Sequence, residues 1–139
     1  MIRPAELQDI PDLLSLVEEL HAATRQPLNI DRSHTAGFLA RLIRDGGLCL
    51  VVDKGGPCGF LAASVYVTTT SPHPIAWEYG WYCRIGGWGR RLLAEYEAWA
   101  REKGCLAVRL SCAVGDERVS SILGREGYSP IDQTWVKLI

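Results

Sequence analysis

A chain of 139 residues, 47% hydrophobic and 22% charged, has the size and balance of one globular domain over residues 1–139. Fifteen Lys and Arg against sixteen Asp and Glu leave a formal charge of −1, without the positive excess that nucleic-acid binding draws on. The apolar stretch near the middle, Leu48 to Val52, falls far short of the roughly 20 residues that cross a bilayer, so neither nucleic acid nor membrane is an expected partner. The first residues, Met-Ile-Arg-Pro-Ala-Glu, contain no basic segment leading into an apolar one, and the chain reads as cytoplasmic. Its five cysteines (Cys49, Cys58, Cys83, Cys105, Cys112) lie mostly inside apolar runs with no C-x-x-C spacing, which predicts free, buried thiols and no metal site.

In chain order, Ile2 to Leu7 reads as an opening strand, and Asp9 and Pro11 supply the cap and first turn of a helix. Ile10, Leu13, Leu14, Val17 and Leu20 recur along that helix at one-face spacing. After Gln26-Pro27-Leu28-Asn29, a second helix is expected from about Ser33 to Arg44, stopped by Gly46-Gly47. The period then changes. Leu48 to Val52 and Cys58 to Val67 form a predicted hairpin around Asp53-Lys54-Gly55-Gly56-Pro57, and Ile75 to Cys83 is the next strand, beyond a Pro-bounded loop. Alternation along that strand sends Trp77, Tyr79 and Trp81 to the face opposite Glu78.

A helix carrying Leu92, Leu93, Tyr96, Trp99 and Ala100 on one side closes at Gly104, and Cys105 to Cys112 returns as a strand parallel to the last. Asp116 caps a short helix through Val119, Ile122 and Leu123 that stops near Gly127, and Thr134 to Ile139 is an expected closing strand. The predicted order is β-α-α-β-β-β-α-β-α-β, an α/β fold with one mixed sheet flanked by helices.

Between the fourth strand and the third helix lies Arg84-Ile85-Gly86-Gly87-Trp88-Gly89. A glycine-rich turn opening a helix leaves backbone N–H groups uncovered at the positive end of the helix dipole, a natural seat for phosphate, and Arg84 and Arg90 flank it. A sharp turn that merely needs glycine is the alternative, but three glycines within four residues exceed what a turn requires. A Walker loop would end in Gly-Lys-Ser/Thr, whereas Arg90-Arg91 follows Gly89, and the third glycine of a Rossmann fingerprint is missing, with Leu92 in its place.

The segment resembles the acyl-CoA motif R/Q-x-x-G-x-G/A of the GNAT superfamily of acetyl-CoA-dependent N-acetyltransferases, matching it at every fixed position. The context agrees: two early helices, a hairpin, the motif past mid-chain, then strand, short helix and Gly127-Tyr128. The resemblance implies that the loop from Arg84 through Ile85, Gly86, Gly87, Trp88 and Gly89 to Arg90 binds the pyrophosphate of acetyl-CoA. The strand edge at Tyr79, Gly80 and Trp81 would bind pantetheine, and Asp116 would lie near the cofactor arm. It further implies an acceptor that is a primary amine of a small molecule or peptide, and a homodimer as a possible assembly. Many members carry a Tyr as general acid where Leu123 stands here, leaving Ser120, Tyr128 or Tyr82 to protonate the departing thiolate.

An amine of pKa near 10.4 is neutral in only about one molecule in 2,500 at pH 7, worth roughly 4.6 kcal/mol, so a base is needed. Glu78 is the first candidate, desolvated enough to raise its pKa; alternatively it is solvated or pairs with Arg109 on the neighbouring strand. His73, His21 and His34 are lesser candidates. Cys83 and Cys112 have no nearby His to activate them, so transfer is expected to be direct. An acyl-CoA-binding protein without turnover and a nucleotide-binding module are the rival readings.

Overall fold

The computed structural model describes residues 1–139. Its elements are β1 (Ile2–Pro4), a 3-10 turn (Leu7–Asp9), α1 (Ile10–Ala22), α2 (Arg32–Arg44), β2 (Leu48–Asp53), β3 (Pro57–Val67), β4 (Pro74–Cys83), α3 (Trp88–Glu102), β5 (Ala107–Arg109) and α4 (Glu117–Arg125). They build one five-stranded sheet in the order β1-β2-β3-β4-β5, antiparallel throughout except for the parallel pair β4–β5. This is the mixed α/β sheet that the sequence predicts.

Both faces of the sheet are covered, which is why β2 reads as a continuous apolar run. Cys49 and Val51 face α1 and α2, packing with Leu13, Leu16, Leu39, Phe60 and Ala62. Leu48, Leu50 and Val52 face α3, packing with Leu61, Ala63, Leu92, Leu93 and Tyr96. Each fully buried Leu contributes about 1.5–3 kcal/mol. Leu16, outside the predicted apolar set of α1, is fully buried as well. No helix is long and apolar enough to cross a membrane.

Five expectations need correcting. The opening strand stops at Pro4, and residues 7–9 turn instead, because the Asp9 carboxylate accepts the Glu6 N–H at 2.8 Å. For the same reason Asp9 gives α1 no side-chain cap. The strand expected over Cys105 to Cys112 pairs only at Ala107–Arg109, since β4 parts from it there. Thr134 to Ile139 forms no strand; it has no rung with any neighbour, and Trp135 remains 87% exposed. All five cysteines are free, but only Cys49 is buried; Cys58, Cys83 and Cys105 are half-buried and Cys112 is exposed.

Asp116 does cap α4, with Oδ1 accepting the Val119 N–H at 3.0 Å. Asp116→Ala is expected to destabilise by about 1 kcal/mol. Amide hydrogen exchange should localise that loss to α4, and equal protection in both proteins would contradict it.

Candidate active site

The glycine loop leaves the sheet where the Arg84 N–H donates to the Cys58 carbonyl at 2.9 Å. Gly87, at φ +86°, is the N-cap of α3 and offers no side-chain cap. The N–H groups of Gly86, Gly87, Trp88, Gly89 and Arg90 find no acceptor within the chain. The helix start is nevertheless anchored, because the Trp81 indole N–H donates to the Gly89 carbonyl at 3.0 Å. Packing does not explain the glycines at 86 and 89: a Cβ at Gly86 would come no nearer than 4.0 Å to Arg118, and one at Gly89 would make ordinary contact with Trp81 at 3.5 Å. Only Gly87 is required by its own backbone. The result is an uncapped helix N-terminus with open space over it, suited to close approach by a phosphate.

The flanking cations are engaged by carboxylates. Arg84 binds Glu19 of α1 through Nε and Nη2, at 3.0 and 2.7 Å to Oε2, and this pairing raises its pKa. Arg90 binds Glu126 at 2.6 Å. Both pairs are solvent-exposed, and such pairs exchange partners at little cost. Arg118 of α4, which sequence reasoning did not single out, brings its guanidinium near Gly86 and has no ion-pair partner. Its place in the first turn of a helix after the loop was the only available signal. Ile85 is exposed, while Trp88 lies against the α3-side core with Lys54 and Arg91 over its ring at 5.1 and 4.6 Å.

In β4 the register runs Ala63↔Glu78 and then Ala62↔Gly80, so Tyr79 is an extra residue without a partner, a β-bulge. The bulge breaks the alternation expected from sequence. Trp81, opposite Leu61, falls on the same face as Glu78, opposite Ala63, whereas Tyr79 packs edge-on to Phe38 of α2 at 4.6 Å. Gly80 admits the Phe60 ring, which a Cβ would meet at 2.8 Å.

The last rung between β4 and β5 is Trp77↔Arg109, beyond which β4 has no partner on that side. Glu78 stands at the mouth of this split, 7% exposed, with Oε1 accepting the Ser111 N–H at 2.6 Å. Burial raises its pKa above the usual 4.5, and the Ser111 bonds offset part of the rise. The partner of Glu78 is therefore this amide and not Arg109, whose guanidinium stacks on Trp77 at 4.7 Å. Ser111 was missed because an amide acting as a ligand leaves no side-chain signature.

Of the other catalytic candidates, Ser120 has its Oγ 3.7 Å from the sulfur of Cys112, the residue after Ser111, and donates to the Asp116 carbonyl at 2.8 Å. Tyr128 sits past α4, its buried hydroxyl unpartnered and its pKa pushed up to about 12, first by burial and then by Glu97 and Glu126. Tyr82, opposite Phe60, packs on the α1 side of the sheet, and His73 and His34 are exposed in the loop before β4 and on α2. No three His, Cys, Asp or Glu side chains converge as metal ligands. A cavity of about 600 Å³ opens at the split, walled by Trp77, Glu78, Tyr79 and Arg109, by Tyr66 and Val67 at the end of β3, and by Thr68 to Thr70 of the loop that follows.

Comparison with known proteins bears on this arrangement. The sequence matches the Acetyltransferase (GNAT) family over residues 13–122. A search of curated proteins finds no match. Among solved structures, a GCN5-related N-acetyltransferase from Ralstonia eutropha JMP134 superposes with a TM-score of 0.81 at 20% identity, covering 99% of this chain and 97% of that one. An aminoglycoside 6'-N-acetyltransferase from Acinetobacter haemolyticus gives 0.75 at 20% identity over 100% and 99% of the two chains. AAC(6')-Iy, solved with the bisubstrate analogue CoA-S-monomethyl-acetylneamine, gives 0.75 at 19% identity over 100% and 97%.

Proposed function

Because the chain belongs to the GNAT acetyltransferase family, we propose that it transfers an acetyl group from acetyl-CoA directly to a primary amine of a small molecule or peptide. The observation that carries this reading is the uncapped start of α3, with open space at Gly86 and Gly89, set beside a strand split that holds a buried carboxylate.

The amides of Gly86 to Arg90 take the pyrophosphate, with Arg118 at hand and Arg84 and Arg90 able to turn from their carboxylates. The free edge of β4 from Tyr79 to Trp81 offers backbone groups to pantetheine, and the bulge offers an amide to the thioester carbonyl. Glu78, directly or through a water, accepts one proton from the ammonium of the acceptor. The nitrogen lone pair then forms the C–N bond as the C–S bond breaks, and a second proton from nitrogen goes to the departing thiolate by way of Ser120 or Tyr128. Asp116 serves as a helix cap whose hydroxyl-bearing neighbour, Ser120, faces Cys112.

Acetyl-CoA at a hundred times its dissociation constant should stabilise the protein by about 2.7 kcal/mol, read as a thermal shift, while ATP and NAD should give none. Gly89→Ala should abolish that shift without lowering the melting point of the free protein, because the added methyl meets only Trp81 at ordinary distance. A shift with ATP alone would support a nucleotide-binding module instead. Leu123 packs against the α3-side core and can donate no proton, so acyl-CoA binding without turnover is the second reading. Release of free CoA thiol in the presence of an amine separates the two.

A further inference from the structure

The cavity at the split carries one cation, Arg109, and one buried anion, Glu78; its other walls are neutral. Arg109 makes no ion pair, and its guanidinium donates no hydrogen bond within the chain. Its face lies on the Trp77 ring at 4.7 Å, which orients the planar group and leaves its N–H edge available to an in-plane acceptor. A guanidinium held at a cavity wall without a counter-ion favours an anionic group on whatever enters.

Arg109 is the rung partner of Trp77, one residue before Glu78, and the Glu78 carboxylate rests on Ser111, two residues further along the same segment. Arg109 lies on Trp77, on the face of β4 opposite the Glu78 side chain, and both residues line the one cavity, which a small molecule bearing both an amine and an anion can span. We propose that the acceptor is a primary amine that also carries a carboxylate, an amino acid or a similar zwitterion, and that Arg109 is the residue that selects it. This rests on acetyl transfer taking place at the split.

Charge balance separates this class from its competitors. A zwitterion presents one positive and one negative group to Glu78 and Arg109, and the site and ligand neutralise each other. An aminoglycoside or polyamine brings several ammonium groups, for which the cavity supplies a single carboxylate, and Arg109 repels them. A phosphate dianion would leave excess negative charge beside Glu78. The volume of about 600 Å³ suits a small molecule, and the Thr68–Thr70 hydroxyls with Tyr66 and Tyr79 can accommodate a variable side chain without demanding charge.

The test measures thiol release from acetyl-CoA with the twenty L-amino acids, the matched amines lacking the carboxylate (tyramine for tyrosine, histamine for histidine, and so on), phosphoethanolamine, spermine and kanamycin. At least one amino acid should exceed its decarboxylated partner in kcat/KM by about 10- to 100-fold, the worth of a charge-assisted bidentate pair. Arg109→Gln should erase that preference, mainly through KM, and Arg109→Lys should restore part of it, with the acetyl-CoA thermal shift unchanged in both variants. If acetyl-CoA binds but no amino acid is acetylated, or if spermine, kanamycin or phosphoethanolamine is preferred, the assignment of Arg109 is overturned while acetyl transfer stands. Absence of any acetyl-CoA shift overturns the functional proposal itself.

Discussion

Glu78→Gln is expected to lower kcat by about 10²- to 10⁴-fold, the usual contribution of a general base, while leaving the acetyl-CoA thermal shift intact. The wild-type rate should climb with pH along a limb set by the carboxyl of Glu78, displaced upward from 4.5 by burial, and that limb should vanish in the variant. Stability should move the other way. A carboxyl whose folded pKa lies above its unfolded value contributes stability at low pH, which is lost as pH rises from the unfolded pKa through the folded one. At neutral pH the wild type has lost that contribution, whereas the Gln amide carries no buried charge and its oxygen can still accept the Ser111 N–H. The variant should therefore melt no lower than wild type at pH 7 and lower the rate all the same. An unchanged kcat, with the pH limb still present, would transfer the role of base to another group.

Arg3→Ala is expected to have the largest effect on stability. Arg3 on β1 grips Asp9 through two parallel bonds of 2.8 and 2.9 Å and also binds Asp53 at 2.9 Å, tying the start of the chain to the turn before α1 and to the end of β2. The Asp9 side chain is 7% exposed, so removing Arg3 leaves a buried carboxylate with one amide partner. Fully buried pairs cost 3–5 kcal/mol when broken in this way; with Arg3 itself 23% exposed, water reaches the site, and about 2–3 kcal/mol is expected.

The pH dependence has a definite sign. Arg3 holds the Asp9 carboxyl below its usual 3.8, so its stabilisation is present above that value and lost as pH falls through the depressed folded pKa. Without Arg3, burial raises the same carboxyl, and the variant loses stability as pH rises. The gap between the two urea midpoints should be widest near neutrality and close below about pH 4. Asp9→Asn in the Arg3→Ala background should recover part of the loss. A gap under about 0.5 kcal/mol at pH 7 would mean that the pair behaves as a surface bridge.

Local conformation was readable in the four helices, the β2–β3 hairpin and β4. The one-face spacing of Leu13, Leu14, Val17 and Leu20 places α1, and Asp53 to Pro57 places the hairpin turn. Arg84 to Gly89 marks the passage from β4 to α3, which is where the structure leaves amide donors free. These signals survive because turn chemistry and hydrophobic period act over a few residues and report the conformation directly.

The folded chain alone decided which groups meet. The bulge at Tyr79 turns Trp81 to the side of Glu78, against the alternation that the sequence displays, because the register of β4 is set by β3 and not by β4 itself. Where β5 stops, and hence where Glu78 finds the Ser111 amide, depends on how far the two parallel strands stay together. Thr134 to Ile139 alternates like a strand yet finds no strand to pair with, and Glu19 captures Arg84 from a helix distant in sequence. What the amino-acid order determined by itself is the helices, the hairpin and the glycine turn that opens α3, since these depend on near neighbours. Register, strand ends and ion-pair choice depend on distant segments competing for the same groups, and only the tertiary structure brings those competitors together.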